Sequence, residues 1–188
     1  MTVPATDPGN RRRMLTAGFL AVAMAATVGA ALGFQYIGGY IPCKLCYEQR
    51  IPYYVGAPLM LLAAIAAATR APAWAVRGLL AIGGLLMAWG LCLGVYHSGV
   101  EWGWWPGPSD CTDVAGPIDT GGKGILDALD QYVPPSCDKA ALRVLGLSMA
   151  GWNAIASLVL AAVAFRGALR RDRGRAHGRF QGSSSTSQ

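Results

Sequence analysis

Residues 41–54 read Ile-Pro-Cys-Lys-Leu-Cys-Tyr-Glu-Gln-Arg-Ile-Pro-Tyr-Tyr, and they set two thiols three positions apart at the edge of a long apolar run. In the Cys-x-x-Cys spacing of Cys43 and Cys46, one thiol attacks while the other resolves, and a neighbouring helix N-terminus favours the thiolate. Pro42 disfavours helix at Ile41 and so gives Cys43 an extended approach. Arg50 follows Cys46 by four residues. If a helix starts near Cys46, the guanidinium shares the thiol's face, where it stabilises a thiolate or a reduced carbonyl ligand. Spacing alone leaves a surface disulfide, or half of a four-thiolate zinc site, equally open.

The surrounding chain decides the fold class. Of its 188 residues, 53% are hydrophobic and 14% charged, too few charges for an ordinary soluble domain. The excess lies in four runs, residues 14–34, 51–69, 78–96 and 145–165, each 19 or 21 residues long and free of charge. A helix rising about 1.5 Å per residue needs roughly 20 residues to cross a hydrocarbon core. The first run is too long for the apolar region of a signal peptide and reads as a retained span. The expectation is an all-α membrane protein, a four-transmembrane-helix bundle joined outside by loops 35–50 and 97–144.

Charge orients the bundle. Segments 1–13, 70–77 and 166–188 hold 11 of the 16 Lys and Arg, so both termini are expected in the cytoplasm. Residues 1–13 read as a disordered arm and 166–188 as a basic solvated tail. The net charge of +6 follows from this topology, and no basic patch interleaved with aromatics points to nucleic acid. Within the spans, Gly18, Ala25, Gly29 and Gly33 suggest close helix approach in the first, as does the Gly90-x-x-x-Gly94 pair in the third. Cys92 reads as a small buried hydrophobe. Pro52 is placed near the start of the second span and Pro58 inside it, as a kink. Tyr53 and Tyr54 read as interfacial anchors in preference to the lining of a flat ligand site.

Segment 97–144 carries seven carboxylates and is too small for a core of its own. Trp102, Trp104 and Trp105 favour the headgroup layer, and residues 124–133 have the spacing of a short surface helix. Cys111 and Cys137 lie in this segment, 26 residues apart. A bond between them is worth about 3.5 kcal/mol as a staple. A second thiol pair on the same face of the membrane, in a loop rich in Gly and Pro, points instead to a relay.

These residues together resemble the bacterial disulfide bond formation protein B (DsbB) family over about residues 14–165. The likeness rests on Pro42-Cys43-x-Leu45-Cys46-x-x-x-Arg50, on His97 fourteen residues before Cys111, on the spacing from Cys111 to Cys137, and on Leu145-Gly146-Leu147-x-Met149-x-x-Trp152. The resemblance implies a multi-pass inner-membrane enzyme with its redox loops in the periplasm. Such an enzyme reoxidises a soluble DsbA-like thiol oxidase and reduces membrane quinone, with ubiquinone favoured over menaquinone; the DsbA–DsbB–quinone system is the established case of a compartment kept oxidising in this way. By the same resemblance Cys111 is joined transiently to the DsbA-like partner, Cys137 pairs with it, Cys43 is the exchange thiol, and Cys46 faces the quinone beside Arg50. His97 is expected either at the quinone or as an interfacial hydrogen-bonding group. Lys44 and the tryptophan-rich segment 101–108 depart from the family pattern. A quinone reductase of the vitamin K epoxide reductase type is disfavoured because its Cys-x-x-Cys comes late in the bundle. A non-enzymatic, metal-binding or merely stapled protein is disfavoured because the thiols lack a clustered four-ligand pattern, so no metal is expected.

Overall fold

The computed structural model describes residues 8–108 and 137–170. Four long helices, α1 (Pro8–Tyr36), α2 (Lys44–Ala68), α3 (Ala73–Glu101) and α4 (Met149–Leu169), are each long and apolar enough to cross a membrane. The helices neighbour one another in chain order, and α4 returns against α1. Leu20, Met24, Met60, Leu80 and Met87 fill the centre with no exposed surface, while Phe19, Val22, Leu61, Leu62, Leu85 and Leu158 point outward. Apolar on both faces, this is the pattern of a bundle solvated by lipid.

The helices overrun the apolar runs. Pro8 opens α1 at a position where its missing N–H costs nothing, so Arg11–Arg13 lie in helical turns and the expected arm of residues 1–13 is helical from residue 8 onward. Pro52 and Pro58 both fall inside α2 rather than one at its start. The glycines of α1 do not do what their spacing suggested: a Cβ at Gly18, Gly29 or Gly33 would meet nothing within 4 Å, and Ala25 is exposed. Close approach occurs on α3 instead. A Cβ at Gly94 would sit 3.0 Å from the Ala154 backbone of α4, and one at Gly90 would sit 3.1 Å from Ser157 Oγ and 3.6 Å from the Pro52 ring. Cys92, between those two glycines, is exposed on the opposite side of α3 and not buried. Tyr54 is exposed as an anchor would be, but Tyr53 is buried and hydrogen-bonded across the bundle.

The fourth helix starts later than its apolar run. Arg143–Val144 (β1) pairs antiparallel with Leu147–Ser148 (β2), and the two-residue turn places Leu145 at φ 54° and Gly146 at φ 81°. Positive φ at both central residues is the turn that matches strand twist. Ser148 then caps α4 by accepting from Gly151 N, and Trp152 Nε1 donates to Val144 O, tying helix to hairpin. At the other corner Trp105 stacks on Tyr96 and donates to its carbonyl, filling space that exists because residue 99 has no side chain. Residues 124–133, the expected surface helix, lie outside the described residues. The C-terminus of α1, the N-terminus of α2, the C-terminus of α3 and the N-terminus of α4 therefore meet at one end of the bundle.

The glycine contacts separate two substitutions of identical chemistry. Gly94→Leu forces side-chain atoms against fixed backbone and is expected to cost about 1–3 kcal/mol, whereas Gly18→Leu points into open space and should stay within about 0.5 kcal/mol. Thermal unfolding in detergent measures both.

Candidate active site

Cys43 is the N-cap of α2, in the extended conformation typical of that position at φ −77° and ψ 174°. One turn on, Cys46 brings its sulfur to 3.1 Å from that of Cys43. The helix begins at Lys44, two residues earlier than the spacing argument assumed, so Cys46, Gln49 and Arg50 all follow in its first two turns.

The third group comes from a distant part of the chain. His97, in the last turns of α3 and 3% exposed, places Nε2 3.7 Å from Cys43 Sγ. Its Nδ1 accepts from Gln49 Nε2. That bond fixes the tautomer, leaving the ring proton on Nε2, toward the sulfur. Gln49 Oε1 in turn accepts from Asn153 Nδ2 at 2.6 Å, and Asn153 Oδ1 accepts from Tyr53 Oη at 2.8 Å. A polar chain thus crosses from α4 through α2 to α3 and ends on Cys43. Glu101, 4% exposed, sets Oε1 3.8 Å from His97 Nε2 and leaves Oε2 buried with no hydrogen-bond partner among the described residues.

The acidity of Cys43 follows. Its thiol is held far below the ordinary range, at about 4, first by the hydrogen bond from Cys46 and then by His97; burial opposes both. Of the two thiols, Cys43 is the more acidic.

Arg50 is buried beside this centre but does not bond the thiols directly. Its Nη1 donates to Gln35 Oε1 at 2.6 Å, and the guanidinium lies 5.2 Å from the centre of the Tyr47 ring. Together with Cys43, Cys46, Gln49, His97 and Glu101 it lines a cavity of about 780 Å³ whose remaining wall is mainly apolar, from Ala30, Ala31 and Phe34 of α1 to Val144 of β1 and Trp152 of α4. This suits a flat apolar ring that carries hydrogen-bond acceptors.

The second pair reaches the same place. Cys137 is 2% exposed, is disulfide-bonded, and packs in one buried cluster with Cys43, Leu45 and Val100, with Cys46 and Tyr96 against it. Cys43, Cys46 and Cys92 are free thiols. Cys111 lies outside the described residues.

A family model described as "Disulfide bond formation protein DsbB" matches residues 12–166. The chain belongs to the DsbB family. The curated disulfide bond formation protein B of Cupriavidus necator (strain H16) is 32% identical over 161 residues, covering 82% of this chain and 93% of that protein. No solved structure matches. As a DsbB-family member it is a multi-pass membrane protein of disulfide bond formation, with thiol–disulfide oxidoreductase chemistry, and the bundle of four spanning helices agrees with that.

Sequence reasoning missed Gln49, Asn153, Gln35 and the place of Glu101. Signals for two of them existed. Asn153 is a polar residue inside an apolar span, which by default marks function, and Gln49 sits three residues after Cys46, on its helix face. Glu101 was indistinguishable from the other loop carboxylates until α3 was seen to run through it.

The order of the causes on Cys43 is testable by following thiolate ultraviolet absorbance of the reduced protein against pH. The midpoint should lie well below the ordinary thiol value of about 8.5. It should rise in His97→Ala and rise further in Cys46→Ala, since Cys46 is the larger influence; an ordinary midpoint in the parent protein contradicts the geometry.

Proposed function

We propose that this protein reoxidises a DsbA-like periplasmic dithiol oxidase and delivers the electrons to membrane quinone, ubiquinone in preference to menaquinone. The supporting observation is the shared burial of Cys137 with Cys43, beside the cavity that Cys46, Arg50 and His97 line. In this reading a thiolate of the reduced partner attacks a Cys111–Cys137 disulfide at Cys111 and forms a mixed disulfide, and the partner's second thiol resolves it. The partner leaves oxidised, and Cys111 and Cys137 are left as thiols. A loop thiolate next attacks Cys43 of the oxidised Cys43–Cys46 pair, releasing Cys46 as thiolate. Closure of the loop disulfide then frees Cys43. Two electrons and two protons pass to the quinone, the Cys43–Cys46 disulfide re-forms, and quinol leaves.

The residues have separate tasks. Cys43 is the exchange thiol, and a thiol of depressed pKa is also a good leaving group when that mixed disulfide is resolved. Cys46, the less buried of the two, faces the cavity. Arg50 places a positive charge where the quinone oxygen becomes negative. His97 points its Nε2 proton toward Cys43 and the cavity wall. The loops face the periplasm and both termini the cytoplasm of the inner membrane, the orientation the Lys and Arg distribution favours. Packing Cys137 into one cluster with Cys43 and Cys46 makes exchange between the loop and that pair intramolecular.

Two variants separate donor from stabiliser. With saturating quinone and a reduced dithiol partner, Cys46→Ser should abolish quinone reduction, while Arg50→Ala should lower kcat by about a hundredfold, the usual cost of one group that stabilises a developing oxyanion. Unchanged turnover in Cys46→Ser contradicts the assignment. In the loop, Cys137→Ala mixed with the oxidised partner should accumulate a partner adduct on Cys111, visible on a non-reducing gel: the Cys111 thiolate opens the partner's disulfide, freeing one partner thiol, and no Cys137 thiol is present to displace the partner. Normal turnover with no such adduct makes the loop disulfide a staple.

A further inference from the structure

Cys43 Sγ, Cys46 Sγ and His97 Nε2 all lie within 4.8 Å of one another, although 54 residues of chain separate Cys43 from His97. Two thiolates and an imidazole are the donors preferred by a thiophilic divalent cation such as Zn²⁺. The spacing fits as well. Bonds of about 2.3 Å to sulfur and about 2.0 Å to nitrogen at tetrahedral angles set sulfur and nitrogen about 3.5 Å apart, close to the observed 3.7 Å. The two sulfurs, at 3.1 Å, need only open by a fraction of an ångström.

A second observation points to a ligand here. Glu101 is almost wholly buried, lines the same cavity, and holds Oε2 without a hydrogen-bond partner among the described residues, while Oε1 lies 3.8 Å from His97 Nε2. Burying a carboxylate oxygen unpaired is costly, and a cation beside His97 would satisfy it as fourth ligand or as close neighbour. The outer shell is present too. With a metal on Nε2, the His97 proton sits on Nδ1, and the chain through Gln49 and Asn153 accommodates this by turning its amides over, so that Gln49 Oε1 accepts from the ring.

We propose that the reduced Cys43–Cys46 pair, His97 and Glu101 form a binding site for a Zn²⁺-class cation that holds the protein in its reduced state. Binding forms two metal–sulfur bonds and one metal–nitrogen bond, releases the remaining thiol proton to solvent, and moves no electrons. The metal then engages the sulfur lone pairs that disulfide formation needs. This consequence for turnover rests on the thiol-oxidase reading; the binding itself does not. Oxidation of the pair removes both thiolates and with them the site, so cation and disulfide are mutually exclusive.

The experiment uses the full chain in detergent, with Cys92, Cys111 and Cys137 replaced by Ser so that no other thiol contributes, and Co²⁺ as the spectroscopic probe. The reduced protein should bind one Co²⁺ per chain with a thiolate-to-cobalt charge-transfer band, and the oxidised protein none. Cys46→Ser, which keeps the side-chain volume, should abolish the two-thiolate spectrum. His97→Ala should weaken binding by about tenfold or more, a loss that even an outer-shell change can produce. Absence of the band on the reduced pair, or a band of equal affinity in His97→Ala, overturns the site. In the protein with its loop cysteines intact, Zn²⁺ should slow quinone reduction. Cobalt binding with no quinone turnover at all would strike the thiol-oxidase reading and support the site, whereas normal turnover unaffected by saturating Zn²⁺ overturns the proposed hold on the reduced state.

Discussion

The hydrogen bond between the sulfurs of Cys46 and Cys43, completed by His97, is the interaction on which the rest of this structure depends. It lies at the first turn of a membrane helix, where the N-terminal dipole and a neighbouring S–H both favour a thiolate. A bare Cys-x-x-Cys in water has the second of these only intermittently. Here Pro42 fixes the backbone before the first thiol, α2 fixes the second, and the imidazole is held by Gln49 in the tautomer that faces the sulfur. A membrane site has little water to repair a poorly placed donor, so each group in the chain from Tyr53 to Cys43 has its partner inside the protein.

That chain in turn relies on how closely the helices approach. His97 reaches Cys43 because the residues of α3 facing α2 and α4 include Gly83, Gly84, Gly90 and Gly94, against which Met60, Phe165, Ser157, Pro52 and Ala154 pack. Asn153 is one residue from Ala154, so the contact that seats α4 on Gly94 also sets the distance from Asn153 to Gln49. The hairpin before α4 closes the cavity from above through Val144 and anchors Trp152. Stability and chemistry therefore draw on the same interface.

The four spans, the Cys-x-x-Cys start of α2 and the family likeness were all legible in the sequence, because hydropathy over about 20 residues and a fixed thiol spacing are one-dimensional signals. What was not legible depends on which face of a helix meets which neighbour. The glycines of α1 and the pair on α3 have the same composition, yet only Gly90 and Gly94 meet another helix. Tyr53 and Tyr54 are adjacent, and a rotation of about 100° between consecutive residues puts one in the bundle and the other outside it. The apolar residues 145–148 extended a helical run in the sequence but form a hairpin, for which Gly146 at positive φ was the one local sign. Arg50 shares the cavity with Cys46 as its spacing suggested, but its hydrogen bond to Gln35 could not be read from a residue fifteen positions earlier.

Residues far apart in sequence thus come to one end of one bundle, with a buried Cys137 packed against the Cys43–Cys46 pair that borders the cavity. The central claim is that electrons pass from the loop pair to Cys43 and Cys46 and only then leave the protein. Its most direct measurement is the redox state of each cysteine, mapped by alkylation and mass spectrometry after one equivalent of reduced dithiol partner is added with and without quinone. Without quinone, Cys43 and Cys46 should become alkylated while Cys111 and Cys137 are again disulfide-bonded, and added quinone should return all four to disulfides. Electrons that stay on Cys111 and Cys137 while Cys43 and Cys46 remain oxidised would contradict the account.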